Sequence, residues 1–486
     1  MPHYSLQLPP LYYIIYQKLP ALYYKKLAKL PYLCYMFPRQ IATELKKWAS
    51  SEDRKPLVIR GARQVGKTTA IHQFSKQFEQ YIYLNLDLNE DKAPFLAFSS
   101  IETLVQALFF LKNRTLDLKN RTLLFIDEIQ EVPEALNILR YFYESEREIA
   151  VIAAGSMLET LFNKNVSFPV GRVEYKVMRP VSFPEFLTAK EEMAALEQLV
   201  QIPLVPFAHS KLLKLYHSYA LIGGMPEVVN NFIQHGDLTA LSPIYDSLIT
   251  SYLDDVEKYA ANSSQILYIR HVIRNSFLLA GKRIKFEGFG NSSYRSREMG
   301  EALRTVEKAM LLQLVYPGTG TTLPLIPDIK KSPRLQVLDT GLLNYFSGIQ
   351  KDILGTTDLN SIYQGTIVEH LTGQEILAFQ YLSLSSLHFW VREKKDSTAE
   401  VDFVFSFEGK LIPIEVKSGK EGTLKSLHIF MDMAPHKMAV RFYAGELKIT
   451  ETTTGSGKKY QLLNLPYYLV SQLENYLVWF QKFSGL

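Results

Sequence analysis

Short apolar runs alternate with helical patterns over the first third of the chain. The run TLLFIDE is apolar at nearly every position before its acids, which indicates a strand buried on both faces. Strands of this type that alternate with helices are typical of a parallel sheet covered by helices. We therefore predict an α/β fold. The predicted strands span 56–60, 81–87, 122–128 and 149–156, and the predicted helices span 41–50, 67–78, 100–112 and 133–146.

The pattern changes after residue 186. Residues 190–280 read mainly as helices, with a glycine–proline break in LIGGMPEVV. Residues 265–350 combine helices with a turn-rich insertion and a strand-like piece, which a winged-helix arrangement would fit. From about residue 360 the order becomes helix, three strands, helix, strand, which predicts a separate α/β domain. The expected organisation is a leader (1–35), a first α/β domain (36–186), a helical lid region (187–264), a winged-helix-like domain (265–350) and a C-terminal α/β domain (351–486).

Composition narrows the setting only slightly. The chain has 486 residues, a net charge of +5 and a pI near 8.8, a mildly basic balance that permits a nucleic-acid partner without arguing for one. The single cysteine, Cys34, excludes an intramolecular disulfide and fits the cytoplasm. No apolar run approaches the roughly 18 residues of a membrane span. The near-repeat LYYIIYQKLPA–LYYKKLAKLPY favours a disordered or extended leader over a tyrosine-rich docking segment.

The stretch GARQVGKT fits the P-loop pattern G-x-x-x-x-G-K-[ST], between a predicted strand and a predicted helix. Glycines allow the backbone to wrap closely around phosphate groups, and the N–H groups and the helix N-terminus attract them. Lys67 would contact the β- and γ-phosphates, and Thr68 would offer its hydroxyl to Mg²⁺. ATP and Mg²⁺ are the expected cofactors. The residues assigned to the loop are Gly61, Ala62, Arg63, Gln64, Val65, Gly66, Lys67, Thr68 and Thr69.

Acids at the end of the strand LLFIDE would complete this site. Asp127 would hold the metal, directly or through water, and Glu128 would act as the general base for the attacking water. Ser156, after the next strand, would sense the γ-phosphate. Arg172 is a candidate transition-state arginine, in cis or across a subunit boundary. Ser156 could equally be a turn serine, and Arg172 a surface arginine.

The ordered set of motifs resembles prokaryotic AAA-type ATPases that carry a C-terminal, uncharacterised domain of restriction-endonuclease-like type. The resemblance runs from Met36 to the C-terminus. It implies phosphate and Mg²⁺ contacts for Lys67 and Thr68, an acidic pair at Asp127 and Glu128, and a sensor at Ser156. It rests on GARQVGKTT, LLFIDEIQ, AAGS, GRVEYKVMRPVSFPEF, GGMPEVV, YLDDVEKY, LQVLDTGLLNYF and AEVDFVF…IPIEVKSG.

The stretch LIPIEVKSG places Glu415 and Lys417 on one face of an apolar strand, since side chains two apart share a face. Asp402 lies on the preceding strand, and the two strands are expected to form a hairpin. The three residues match the D…(D/E)-x-K pattern of restriction-endonuclease-like nucleases. Their carboxylates could bind Mg²⁺ with the Val416 carbonyl, and the lysine could activate water.

Helical acids extend this second site, with Glu369 as the first candidate for a further metal ligand and Glu375 as the second. Two alternatives stay open. The charges could form an ion pair without chemistry, although burying unused charge is costly. The domain could also keep a nuclease-like fold and bind without cutting.

A DNA partner is favoured by basic residues interleaved with aromatic ones, although an ordinary solvated face is an equal alternative. The leading hypothesis is an ATP-hydrolysing AAA-type ATPase coupled to a nuclease-like domain that acts on DNA. The alternative is an ATP-gated binding module with an inactive nuclease-like domain. The sequence leaves open whether the chain forms a homo-oligomer. The basic and aromatic residues are Lys282, Arg283, Lys285, Phe286, Phe289, Tyr294, Arg295, Arg297, Lys394, Lys395, Lys420 and Lys425.

Overall fold

Five parallel strands form the first sheet of the computed structural model, in the order β2-β3-β4-β1-β5 as their ranges are given below. The four predicted strands and four predicted helices are confirmed, while α3 and β5 were not predicted. The strand β4 lies between β1 and β3. The elements are α1 (Ile41–Ala49), β1 (Leu57–Arg60), α2 (Lys67–Ser75), β2 (Gln80–Asn85), α3 (Asn89–Ala97), α4 (Ile101–Leu111), β3 (Thr122–Asp127), α5 (Pro133–Ser145), β4 (Ala150–Gly155) and β5 (Glu174–Val177).

The structure describes residues 37–97, 99–156, 171–258, 260, 262–349, 366–394, 397–417 and 424–484. The predicted leader lies outside them. Residues 38–486 form one compact unit, and all that follows concerns this unit. Within the described ranges, no helix combines the length and the apolar character needed to cross a membrane.

Burial on both faces explains why the sequences of β3 and β4 in the first sheet are almost continuously apolar. Every residue of β3 and β4 is buried, because helices cover both faces of the sheet. One face packs against α4 and α5 through side chains such as Leu108 and Leu139. This packing fixes the carboxyl ends of β1, β3 and β4 at one edge, where the functional side chains follow.

Helices dominate the middle of the chain, as predicted, and α8 ends just before the glycine–proline break. A two-stranded antiparallel ribbon of β6 and β8 follows two of these helices. The predicted strand-like piece LLQLVYPGTG contains β6 and β7, and the winged-helix arrangement stays a prediction. The elements are α6 (Phe183–Ala189), α7 (Met193–Val200), α8 (His209–Ile222), α9 (Pro226–His235), α10 (Ser242–Asp255), α11 (Ser263–Ser276), α12 (Ser296–Lys308), β6 (Leu312–Val315), β7 (Pro317–Gly318), β8 (Arg334–Val337) and α13 (Thr340–Phe346).

The C-terminal region contains the predicted order of helix, three strands, helix and strand, but the second predicted strand bends at Asp402 and divides into β10 and β11. A mixed sheet runs β11-β12-β13-β15-β14, and a second sheet runs β10-β9-β7. The middle region therefore contributes β7 to a sheet of the C-terminal region. The elements are α14 (Thr366–Ala378), β9 (Phe389–Lys394), β10 (Ser397–Val401), β11 (Phe403–Phe407), β12 (Lys410–Val416), α15 (Lys425–Met433), β13 (Met438–Tyr443), β14 (Lys448–Thr453), β15 (Lys459–Pro466) and α16 (Leu473–Ser484).

Candidate nucleotide site and carboxylate centre

The glycine loop joins β1 to α2, and its backbone explains the two glycines. Gly66 has φ +93°, a conformation that L side chains rarely adopt. A Cβ on Gly61 would lie 2.4 Å from the Met178 carbonyl oxygen. The helix α2 begins at Lys67, so its free N–H groups point into the loop. The loop therefore has the strand–loop–helix geometry that the motif predicted.

Lys67 is buried against its own loop. Its Nζ donates to the carbonyl oxygens of Gly61 and Ala62, each at 2.9 Å. Burial lowers the pKa of this amine to about 8, against the opposing pull of the Glu128 and Asp127 carboxylates. Neutral carbonyls are weak partners for a cation, so an anionic phosphate can displace them.

Asp127 ends β3 and binds the first turn of α2. The hydroxyl of Thr68 donates to its Oδ2 at 2.7 Å, and the N–H of Glu128 donates to its Oδ1 at 3.1 Å. Burial raises the pKa of Asp127. The two residues predicted to share a metal thus already contact each other, and an aspartate oxygen beside a threonine hydroxyl is a donor set that suits Mg²⁺.

Glu128 and Ser156 complete this edge of the sheet. Glu128 takes a left-handed conformation with φ +51°, and its carboxylate accepts from Gln130 Nε2 at 2.5 Å. A non-glycine residue in this conformation is a frequent mark of functional sites. Ser156 follows β4 directly and therefore lies at the strand end between the loop and Asp127.

Arg172 is not brought to this edge. It precedes β5 by two residues, and β5 runs parallel to β1, so Arg172 lies at the amino-terminal edge of the sheet. Its Nε pairs with Glu144 at 3.2 Å, and about half of its side chain is exposed. The chain connectivity alone explains the separation, which excludes the expected action in cis on the site of its own chain.

Asp402, Glu415 and Lys417 do come together in the C-terminal region. The strands β11 and β12 pair antiparallel, as predicted for a hairpin. Asp402 Oδ2 accepts from the N–H of Val416 at 2.8 Å, and Lys417 Nζ donates to Glu415 Oε1 at 2.6 Å. Glu415 is 6% exposed, and its buried Oε2 has no hydrogen-bond partner among the residues that the structure describes.

Arg334, at the start of β8, reaches into this cluster from the middle region. Its guanidinium contacts the carboxylates of Glu369 and Glu400, and Nη2 lies 3.7 Å from Asp402 Oδ1. Nη1 also donates to the Asp402 carbonyl oxygen at 3.2 Å. The guanidinium carbon lies 4.6 Å from the centre of the Phe389 ring. We call Glu369, Glu400, Asp402 and Glu415 the carboxylate centre.

Burial dominates the electrostatics of this centre. It raises the pKa of Glu369 to about 8, with a further contribution from Asp402, and that of Glu415 to about 7. The pKa of Asp402 is raised as well, again chiefly by burial. Burial opposes the charge on Arg334, but Glu369, Glu400 and Asp402 outweigh it and hold the arginine pKa above its usual value.

The predicted metal ligands Asp402, Glu415 and Glu369 do not fit a metal ion in this arrangement. Among the residues that the structure describes, no three His, Cys, Asp or Glu side chains are grouped to hold one. Glu369 and Asp402 face a guanidinium instead. It is the N–H of Val416 that contacts Asp402, rather than its carbonyl.

Glu375, the second helical candidate, lies elsewhere. Its carboxylate accepts from the N–H of Phe183 at 3.2 Å and from the Tyr219 hydroxyl at 2.7 Å. Burial raises its pKa to about 7. It is six residues beyond Glu369 on α14, and it joins this helix to α6 and α8 instead of facing the centre.

The predicted basic surface is partly realised. Lys282, Lys285 and Lys425 are exposed, whereas Arg283 pairs with Glu393 at 2.7 Å. The aromatic residues serve packing, because Phe289 is buried and Tyr294 packs against Tyr268. Lys395 and Lys420 lie outside the described residues, and the side chain of Lys394 is not described. Arg295 and Arg297 are also exposed.

Residues 53–187 match a family described as "AAA domain". These residues are an AAA-type P-loop ATPase domain. Two domains of unknown function match the remainder, DUF8612 over 213–353 and DUF4143 over 364–468. No curated protein matches the chain.

Solved structures resemble the chain only distantly. The Walker-type ATPase PABY2304 of Pyrococcus abyssi is 14% identical, with 64% of this chain and 96% of that one covered and a TM-score of 0.42. The ORC1 protein of Aeropyrum pernix in complex with DNA is 13% identical, with 66% and 95% covered and a TM-score of 0.30. PCH-2 of C. elegans is 10% identical, with 55% and 67% covered and a TM-score of 0.20.

Sequence reasoning missed Arg39, which supports the loop of the AAA domain from outside. Its Nη1 donates to the Val65 carbonyl at 2.8 Å, its Nη2 to that of Arg179 at 2.7 Å, and its Nε pairs with Glu185 at 3.0 Å. The capping box of SFPE, in which Ser182 and Glu185 bond reciprocally, was a readable signal for the position of Glu185.

Two helices of the predicted lid region, α9 and α10, also contact the phosphate loop. Asp255 of α10 pairs with Arg63, and the Tyr252 hydroxyl donates to the Arg63 carbonyl at 3.3 Å. At Gly66, a Cβ would lie 3.5 Å from Pro226, the first residue of α9. Gln64 and Thr69 are exposed, whereas Ala62 and Val65 are buried. The nucleotide site is therefore bordered by α9 and α10.

Proposed function

We propose that the protein hydrolyses ATP in its AAA domain and couples hydrolysis to a nuclease-like C-terminal domain that acts on DNA. The observation that carries the ATPase part is the contact of Thr68 with Asp127 at 2.7 Å beside the buried Lys67. Three functional groups from two strand ends meet where a loop of N–H groups can hold phosphates.

We assign each residue of this site a role that its position supports. The loop N–H groups and the α2 N-terminus bind the phosphate chain, and Lys67 exchanges its carbonyl partners for the β- and γ-phosphate oxygens. Thr68 and Asp127 would hold Mg²⁺, which neutralises phosphate charge when bound. Glu128 accepts the proton of the attacking water once Gln130 releases its carboxylate. Ser156 contacts the γ-phosphate from the end of β4.

Two observations support an action on DNA. Asp402, Glu415 and Lys417 converge at the end of one hairpin, which is the constellation that the nuclease pattern requires. An exposed lysine also lies near this region, since Lys282 directly precedes Arg283, whose guanidinium is 3.8 Å from Glu400. Such lysines would contact phosphates in a salt-dependent way that does not read sequence.

A second candidate function is an ATP-gated binding module without cleavage. Arg334 favours it, because its guanidinium already faces the carboxylate oxygens of Glu369 and Asp402 that a catalytic metal would need. In this case ATP controls access of a nucleic acid or a protein to the C-terminal region.

The test measures ATP turnover and DNA cleavage by the full chain with Mg²⁺ or Mn²⁺. We expect Lys67→Ala to abolish turnover and nucleotide binding, while the exposed Lys76→Ala retains both. Cleavage of supercoiled DNA that disappears in Glu415→Ala and Lys417→Ala would support the nuclease. Unchanged turnover in Lys67→Ala would overturn the ATPase part, and intact turnover without any cutting would favour the binding module.

A further inference from the structure

Arg334 joins two regions of the chain through charge. It belongs to β8 of the ribbon, whereas the carboxylates it faces belong to α14, β10 and the β10–β11 bend. Its side chain is 10% exposed. A guanidinium is always charged, and its planar fork suits several carboxylates at once. The contact therefore places one positive charge against three of the four acids of the carboxylate centre, from outside the C-terminal region.

We propose that Arg334 is a tethered cation that keeps divalent metal ions out of the carboxylate centre until its guanidinium leaves. The inference rests on the nuclease-like part of the proposed function. A metal ion at Glu369 and Asp402 would need the oxygens that Arg334 now faces, and it would meet a positive charge at hydrogen-bond distance. The two cations therefore exclude each other.

No described residue donates to the buried Glu415 Oε2, which is an independent indication of a missing ligand. Lys417 satisfies only Oε1 of this carboxylate. A buried carboxylate oxygen without a donor is costly, and a hard divalent cation is the ligand that such an oxygen prefers. Arg334 faces Glu369, Glu400 and Asp402 but makes no hydrogen bond to this oxygen. The centre is thus closed but incompletely satisfied.

Chain contacts connect Arg334 to the nucleotide site. The strand β8 leads within two residues to Asp339, which is fully buried and accepts from the N–H of Gly224 at 2.6 Å. Gly224 is two residues before Pro226, which borders the phosphate loop at Gly66. Movement of α9 on nucleotide binding would therefore pull on the segment that carries Arg334.

The test is Mn²⁺ binding to the nucleotide-free full chain, measured by isothermal titration calorimetry. We expect Arg334→Met to bind one Mn²⁺ ion at the carboxylate centre with an affinity at least tenfold higher than that of wild type for this site. Adding Asp402→Asn to Arg334→Met should remove this site. Arg283→Met is the matched control, because Arg283 pairs with Glu393 and Glu400 at the rim. Equal Mn²⁺ affinity in wild type and Arg334→Met would overturn the proposal, as would an equal gain in Arg283→Met.

A variant that folds poorly remains informative. If Arg334→Met is unstable, Mn²⁺ should raise its unfolding midpoint more than that of wild type, and EDTA should reverse the gain. Absence of this metal-specific rescue would overturn the proposal. Tight Mn²⁺ binding by Arg334→Met without DNA cleavage would support the tethered cation and count against the nuclease. Metal-dependent cleavage by wild type, together with equal Mn²⁺ affinity in wild type and Arg334→Met, would support the nuclease and overturn the tethered cation.

Discussion

Lys67 and Arg334 are both nearly buried cations, 7% and 8% exposed, but their surroundings differ. Lys67 donates to two neutral carbonyls of its own loop, five and six residues away in sequence. Arg334 faces carboxylates 35, 66 and 68 residues away. The first cation is poised for an incoming anion, whereas the second already has its anions. The comparison separates a site prepared for a ligand from one that the protein itself fills.

Removal of each cation should therefore affect stability to very different extents. We expect Arg334→Met, without metal, to lower the free energy of unfolding by about 3–5 kcal/mol, because it leaves buried carboxylates without their counter-charge. Lys67→Met should change it by less than about 1 kcal/mol, since burial already disfavours that amine. Urea unfolding followed by circular dichroism measures both. Equal losses in the two variants would break the comparison.

The variant Glu128→Gln tests the proposed general base of the nucleotide site. Loss of the general base should lower ATP turnover by about 100-fold or more while nucleotide binding is retained, because the phosphate contacts remain. Steady-state turnover and a fluorescent-nucleotide titration measure the two quantities. Glu134→Gln, on the exposed first turn of α5, is the control. A turnover within twofold of wild type would exclude Glu128 as the base.

The variant Glu375→Gln tests how a buried acid outside the carboxylate centre affects the pH dependence of stability. The folded pKa of Glu375, about 7, lies above its unfolded value near 4.5. The unfolded chain therefore releases this proton first, and the stabilisation present below pH 4.5 is lost as pH rises to about 7. Between pH 5 and pH 8, Glu375 should lower the free energy of unfolding of wild type by about 2 kcal/mol. We expect Glu375→Gln to lack this contribution to the pH dependence. Urea unfolding across this range measures it, and an unchanged pH slope would contradict the assignment.

The smallest effect is expected at Arg172. Because it lies at the sheet edge opposite the phosphate loop, Arg172→Ala should change ATP turnover less than twofold in the monomer. Turnover measured across protein concentrations tests this expectation. A tenfold loss that appears only at high concentration would assign Arg172 to the site of a neighbouring subunit.

The phosphate loop was predictable because its chemistry is contiguous. A glycine–lysine–threonine segment, one strand and one helix define it, and a second strand places Asp127. The hairpin around Asp402 and Glu415 was predictable for the same reason. By contrast, β5 has only one fully buried residue in four, which leaves it a weak apolar signal.

Arg334 was not predictable from local pattern. A basic residue at the start of a short strand reads as a surface residue, and no spacing indicates which distant acids it meets. Glu400 gave a weaker signal, two residues before Asp402. The placement of Glu375 was missed because an apolar helix carries two acids, and only its packing against α6 and α8 decides which faces the centre.

Because β7 of the middle region pairs with β9 of the C-terminal region, we expect the two regions to be inherited together. A recombination event between residues 334 and 369 would separate β7 from β9 and would also separate Arg334 from Glu369 and Glu400. Related chains in which Arg334 is neutral should therefore also lack Glu369 or Glu400. A collection of such sequences would record the ion pairs as paired substitutions, readable without any structure.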